Sequence, residues 1–166
     1  MCFTIEKGER ADLFFLENML LWSTHAWVVG LRRRIPVEER IEEVFAKISA
    51  ADAAGQMYGF MWTLGHCASR TIEIGCVCNP KITADERCLI AILALVQHGR
   101  SAEALIVLRS LFTANAAVAA IDSAQRLMTC LTAAGRILSP RRPSITDVRC
   151  VSGGAVPDDC RTVILH

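Results

Sequence analysis

Two long stretches of helix-period apolar residues flank a segment that follows neither helical nor loop-like habits, HCASRTIEIGCVCNPKITADERC at residues 66–88. That break most constrains the fold. Both flanks repeat apolar side chains at three- and four-residue steps, so both must be helical, and the break has to be fitted between them. Within it, Thr71 to Cys78 reads TIEIGCVC, β-branched and alternating, which places Ile72, Ile74, Cys76 and Cys78 on one side of an extended stretch. Gly75 marks a bend, and Asn79-Pro80 an exit. A single short strand is not stable alone. The segment is therefore expected to pack as an extended linker, to pair with the same segment of a second subunit, or to pair with the tail, where Thr162–Leu165 is a candidate strand.

The flanking patterns divide into helices. The first is expected from about Glu9 to Leu31, with Phe14, Phe15, Leu16, Met19, Leu20, Leu21, Trp22, Trp27, Val28 and Val29 spread all round its axis. Such a helix is central to a bundle or lies in a subunit interface. Asn18, Trp22 and His25 share one of its faces, as polar groups satisfied inside a core. The second helix opens at Pro36 and carries a narrow stripe of Val37, Ile41, Val44, Phe45 and Ile48. The third begins near Asp52 and reaches His66. On it Ala51, Gly55 and Gly59 recur every four residues, a spacing that invites close approach of another backbone. Tyr58, Trp62 and His66 recur the same way on another face, forming a ridge that leads to the cysteine segment.

Thr83 opens the fourth helix with Glu86 three residues on, the signature of a capping box. Gly99 ends it, and Ser101 opens a fifth helix that pairs with it as a hairpin. The text HGRSAEALIVLRSL resembles half of a tetratricopeptide-type repeat, but a lone unit does not make an array, and no family is assigned on it. A sixth, Ala-rich helix is expected from Asn115 to Leu138. The fold class read from the sequence is all-α: a five- to six-helix bundle with one short extended or β segment near residues 71–78 and an irregular C-terminal tail. Residues 1–138 form the helical domain, and residues 139–166, rich in Pro, Gly, Ser and Arg, form a tail with little core of its own.

Composition narrows the function classes. The formal net charge is +1 and the Arg32–Arg34 run is followed at once by Glu38, Glu39, Glu42 and Glu43, so no field is expected that would draw nucleic acid. Polar residues interrupt every apolar run, so no membrane span is expected. The start, MCFTIEKGERAD, lacks the pattern of a secretory signal, which points to a cytoplasmic chain with reduced thiols. Apolar residues make up 52% of the chain and mean hydropathy is +0.35, a surplus that asks for a neighbour. Trp22, Trp27, Gly55 and Gly59 are the candidate interface residues of a homodimer or a complex with a protein partner.

Chemistry is sparsely signalled. His66, Cys67, Cys76, Cys78 and Cys88 lie close in sequence and are the candidate ligands of a zinc ion, although Cys76-Val77-Cys78 lacks the two-residue spacing of zinc knuckles. Cys88, early in the fourth helix and next to Arg87, is the candidate redox thiol. Tyr58, Trp62 and His66 are the candidate lining of a small-molecule pocket. The signatures of serine hydrolases, zinc proteases, phosphate loops and dinucleotide folds are missing. The chain reads foremost as a non-enzymatic interaction or regulatory protein, with metal or redox response and a pocket function as the alternatives.

Overall fold

The computed structural model describes residues 14–140 and the backbone of residues 163–165. The chain order is α1 (Phe15–Arg33), α2 (Glu38–Lys47), α3 (Asp52–Cys67), β1 (Ile72–Ile74), α4 (Ala84–Gln97), α5 (Ser101–Leu108), α6 (Ala114–Ala133) and β2 (Val163–Leu165). The all-α bundle read from the sequence is the fold. Most of the expected tail lies outside the described residues.

α3 and α6 form the central pair. They run antiparallel: Arg136 Nε, past the end of α6, donates to Ile48 O before α3 (2.9 Å), and Thr63 bonds Ser123 midway (3.2 Å). Beyond α3, Ser69 donates from its amide (2.9 Å) and its hydroxyl (3.0 Å) to Leu111 O, just before α6. Met57, Phe60, Met61 and Leu64 of α3 meet Ala117, Ala120, Ala124, Leu127 and Leu131 of α6 in one core. The alanines let the two axes come close, and the larger α3 side chains fill the space between.

α1 is buried nearly all round, as its pattern required: Leu16, Met19, Leu20, Leu21, Trp27 and Val28 all lie inside. The cover comes from the protein's own helices. Ser23 and Thr24 turn their hydroxyls back onto Met19 O (2.9 Å) and Leu20 O (3.0 Å), so their polar groups are satisfied within the helix. α2 buries Ile41 and Phe45 and shows its glutamates to solvent.

Several bounds differ from the sequence expectation: α1 opens at Phe15 rather than about Glu9, and α2 at Glu38 rather than Pro36. α6 ends at Ala133 rather than Leu138, because Gly135 (φ +69°) reverses the chain: its N–H donates to Thr132 O (2.9 Å) and that of Arg136 to Leu131 O (2.8 Å). The residues that follow dock instead of coiling on, with Leu138 N–H donating to Gln97 Oε1 (2.7 Å) and its side chain buried. The strand is also shorter than the alternating stretch. It covers Ile72–Ile74, both isoleucines fully buried, and pairs antiparallel with Val163–Leu165, Ile72 opposite Leu165 and Ile74 opposite Val163. Cys76 and Cys78 do not continue it, since the chain turns there with Asn79 N–H donating to Cys76 O (2.9 Å).

Candidate functional site

The polar groups of the described chain converge on the first turn of α4. Thr83 and Glu86 form the expected capping box: Glu86 N–H donates to Thr83 Oγ1 (3.1 Å) and Thr83 N–H to Glu86 Oε2 (2.7 Å). The same carboxylate does more than cap. Its Oε1 accepts the amide of Gly75 (2.9 Å) and Nε2 of His25 (2.5 Å), sixty-one residues away on α1. A carboxylate only accepts, so Nε2 carries the hydrogen. A Cβ on Gly75 would stand in ordinary contact with both carboxylate oxygens, 3.4 Å from each.

Next to it, Asp85 takes the Arg70 guanidinium in a fork, Nη2 to Oδ1 at 2.6 Å and Nη1 to Oδ2 at 2.9 Å. Asp85 also accepts the amide of Glu73 (2.7 Å), while Thr83 Oγ1 donates to Glu73 O (2.7 Å). Arg70 continues to Ser110 O (3.0 Å) and Thr71 O (2.7 Å). Three successive features of one helix start thus fasten the whole 70–75 stretch. This is why the alternation ends at Gly75: the Glu86 carboxylate holds that amide and the chain bends around it.

His25 is 2% exposed and Glu86 1%. Burial pushes the Glu86 carboxyl up, but the hydrogen bonds from His25 and the Thr83 and Gly75 amides, with the attraction of His25, outweigh it and leave the group below its ordinary value of 4.5. An ionised carboxylate with three donors on it, closed from solvent, is fully spent on holding α1, α4 and the 70–75 stretch together. Among the described residues no buried side-chain nitrogen or oxygen lacks a partner.

The residues expected as zinc ligands lie on three different parts of the chain. His66 and Cys67 end α3, Cys76 and Cys78 occupy the turn after β1, and Cys88 lies inside α4 at 1% exposure. Among the described residues no group of three or more His, Cys, Asp or Glu side chains is placed to hold a metal. Burial also removes Cys88 from the access a redox thiol needs, and the thiol packs among the core residues as a small apolar group.

Tyr58, Trp62 and His66 share one side of α3, and Tyr58 is engaged separately from the other two. Tyr58 donates to Glu38 O (2.8 Å), bridging α3 to α2. Burial and then the carboxylates of Glu42 and Glu38 push its phenol up to about 12, so it stays a donor across the neutral range. Trp62 and His66 stack face to face, ring centroids 4.1 Å apart, with His66 Nδ1 on Trp62 O (2.9 Å). Two surface hollows lie elsewhere: one lined by Glu39, Glu42, Glu43, Ala46, Ala51, Ala54 and Gly55, the other by Trp27, Gly30, Leu31 and residues 34–38.

The candidate interface residues separate. Trp27 is only 9% exposed, its ring edge 3.2 Å from where a Cβ on Gly65 would stand, and Trp22 is half-buried against the core. Gly55 and Gly59 face outward, with nothing among the described residues within 4 Å of a built Cβ. Trp62, on the same outer face, is 57% exposed. No helix of the described residues is long and apolar enough to cross a membrane. No protein-family model, curated protein or solved structure matches the chain.

Proposed function

We propose that the protein is a non-enzymatic helical interaction protein that works through self-association, using the outer face of α3. The observation that carries the reading is the pairing on one face of an indole 57% exposed, already stiffened by its stack on His66, with two glycines that have open space before them. Tryptophan is the residue most often found at the energetic centre of interfaces, and glycines on a helix let a second backbone come near. Full coverage of the exposed part of the indole, roughly 140 Å2 of the ~250 Å2 such a side chain can bury, is worth about 3.5 kcal/mol per copy at ~25 cal/mol per Å2.

The polar chemistry supports a non-enzymatic role, because the His25–Glu86 pair, the one acid-base pair of the described residues buried on both sides, is sealed inside the fold. Sedimentation equilibrium of the full chain in reducing buffer, over a hundredfold range of concentration, tests the reading. A mass rising to that of two chains supports it. A mass that stays at 18.2 kDa up to the highest concentration refutes it.

A further inference from the structure

We infer that Cys76 and Cys78 form a redox dithiol, which low-molecular-weight disulfides oxidise to a single disulfide inside the turn after β1. This chemistry is separate from self-association. One residue stands between the two cysteines, and both are thiols in the structure, Cys76 half-buried and Cys78 exposed. The turn fixes their spacing. Asn79 N–H donates to Cys76 O (2.9 Å), which closes a four-residue turn with Val77 and Cys78 at its centre. Neither central residue has a positive φ, and no peptide among the described residues is cis. Of the hydrogen-bonded turns this leaves type I, with Val77 in the right-handed helical region. The α-carbons on either side of such a residue stand about 5.4 Å apart, by the rise and radius of a helix. Disulfides join α-carbons ~4.4–6.8 Å apart, most often about 5.5–6 Å. Had the strand run on, the same two α-carbons would stand roughly 6.7 Å apart, at the far end of that range. Ending the strand at Ile74 therefore brings the pair within disulfide reach.

The turn is ordered before any sulfur bond forms. Before it, Gly75 N–H is held by Glu86 Oε1 (2.9 Å); after it, Lys81 N–H is held by Asn79 Oδ1 (3.0 Å). Little chain freedom is left to lose when the ring closes. A ring over a single residue at the surface gives a disulfide of the labile kind, reopened by thiols, rather than a structural staple. The exchange runs in two displacements. The Cys78 thiolate, the more accessible of the two, attacks one sulfur of a disulfide RSSR. That S–S bond breaks, and one RS⁻ leaves and takes up a proton. The Cys76 thiolate then attacks Cys78 Sγ, expels the second RS⁻ and closes the Cys76–Cys78 bond. Two electrons pass from the cysteine pair to RSSR, which departs as two RSH carrying the two thiol protons. The other described cysteines lack this arrangement: Cys67, Cys88 and Cys130 lie on three different helices, and Cys88 is 1% exposed.

The test uses the full chain, reduced and then equilibrated without oxygen in glutathione buffers of stepped disulfide-to-thiol ratio. Samples are quenched with an alkylating reagent and read by peptide mass spectrometry. Cleavage after Arg70 and Lys81 releases Thr71–Lys81, which holds Cys76 and Cys78 and no other cysteine. As the ratio rises, that peptide should pass from doubly alkylated to an unalkylated internal disulfide, and it should return when the ratio is reversed. Cys76→Ser should stop at a glutathione mixed disulfide on Cys78. Cys78→Ser should react at least about tenfold more slowly, because the remaining thiol is half-buried. Circular dichroism checks that both variants keep their helices, and the wild-type measurement stands without them. A peptide that stays doubly alkylated at every ratio overturns the inference. So does glutathione left on both sulfurs at once, which shows thiols too far apart to meet, or a bond from either cysteine to any other in the chain.

Discussion

Replacing Glu86 by alanine should be among the most damaging single changes the fold can suffer. The carboxylate accepts three hydrogens: His25 Nε2 (2.5 Å), the Gly75 amide (2.9 Å) and the Thr83 amide (2.7 Å). Alanine strands all three donors at a site that is 1% exposed. Each buried donor left without a partner costs about 1–3 kcal/mol, and water entering the gap recovers part of it, so a loss of roughly 3–6 kcal/mol is expected. That is a large share of the ~5–15 kcal/mol that holds a typical domain together. Glutamine separates geometry from charge. Its carbonyl can stand where Oε1 stands and keep His25 and Gly75, but its NH2 then faces the Thr83 amide, so about 1–3 kcal/mol should be lost. The pH profile supplies a second readout. A carboxyl held below its ordinary 4.5 in the folded protein contributes stability that is fully present above that value and drains away as pH falls through the lower folded one. The glutamine variant, having nothing to protonate, should lack this part of the acid limb. Urea unfolding followed by far-ultraviolet circular dichroism from pH 7 to 3 measures both. An alanine variant within about 1 kcal/mol of the parent would refute the reasoning, as would an acid limb that is the same in the glutamine variant.

Three further expectations follow from single residues. Gly55→Ala should stabilise the folded chain by roughly 0.5–1 kcal/mol, because the new methyl meets nothing and the helix gains propensity, whereas Gly135→Ala should destabilise by a similar amount, because its φ of +69° disfavours a side chain; thermal melts that move in the same direction for both would contradict this. Arg70→Lys should cost about 1–3 kcal/mol in urea unfolding, since an ammonium cannot span both oxygens of Asp85 and the Ser110 carbonyl together; an unchanged midpoint would count against the fork as a fastening. Under native conditions a thiol reagent should modify Cys78, exposed in its turn, well before Cys88, buried in α4, and equal rates read by peptide mass spectrometry would show that α4 opens more readily than its packing implies.

The helices were legible because each carries its own start, stop or stripe. Thr83 with Glu86, the Ile41 and Phe45 stripe, and Gly99 after α4 are local signals, and local signals survive folding unchanged. The end of α6 was misplaced although its signal was present: Gly135 has the same role as Gly99, but the apolar residues Ile137 and Leu138 beyond it imitate a continuing helix. Leu138 is apolar because it docks beside Gln97 and His98, a contact that periodicity cannot distinguish from one more helical turn.

What sequence could not show is which distant group completes a local motif. A capping box satisfies its own helix and gives no sign that the same carboxylate will reach an imidazole on α1 and bend the chain at Gly75. The signal that was available is indirect. His25 sits on a helix apolar all round, and a polar ring buried there needs a partner of matching charge from another element. The Asp85-Glu86 pair, in the first turn of a helix otherwise buried along its length, is the natural supply. The same asymmetry explains the glycines of α3. Their spacing forecasts a close neighbour, but only coordinates reveal that both face outward, with nothing among the described residues within 4 Å of a built Cβ.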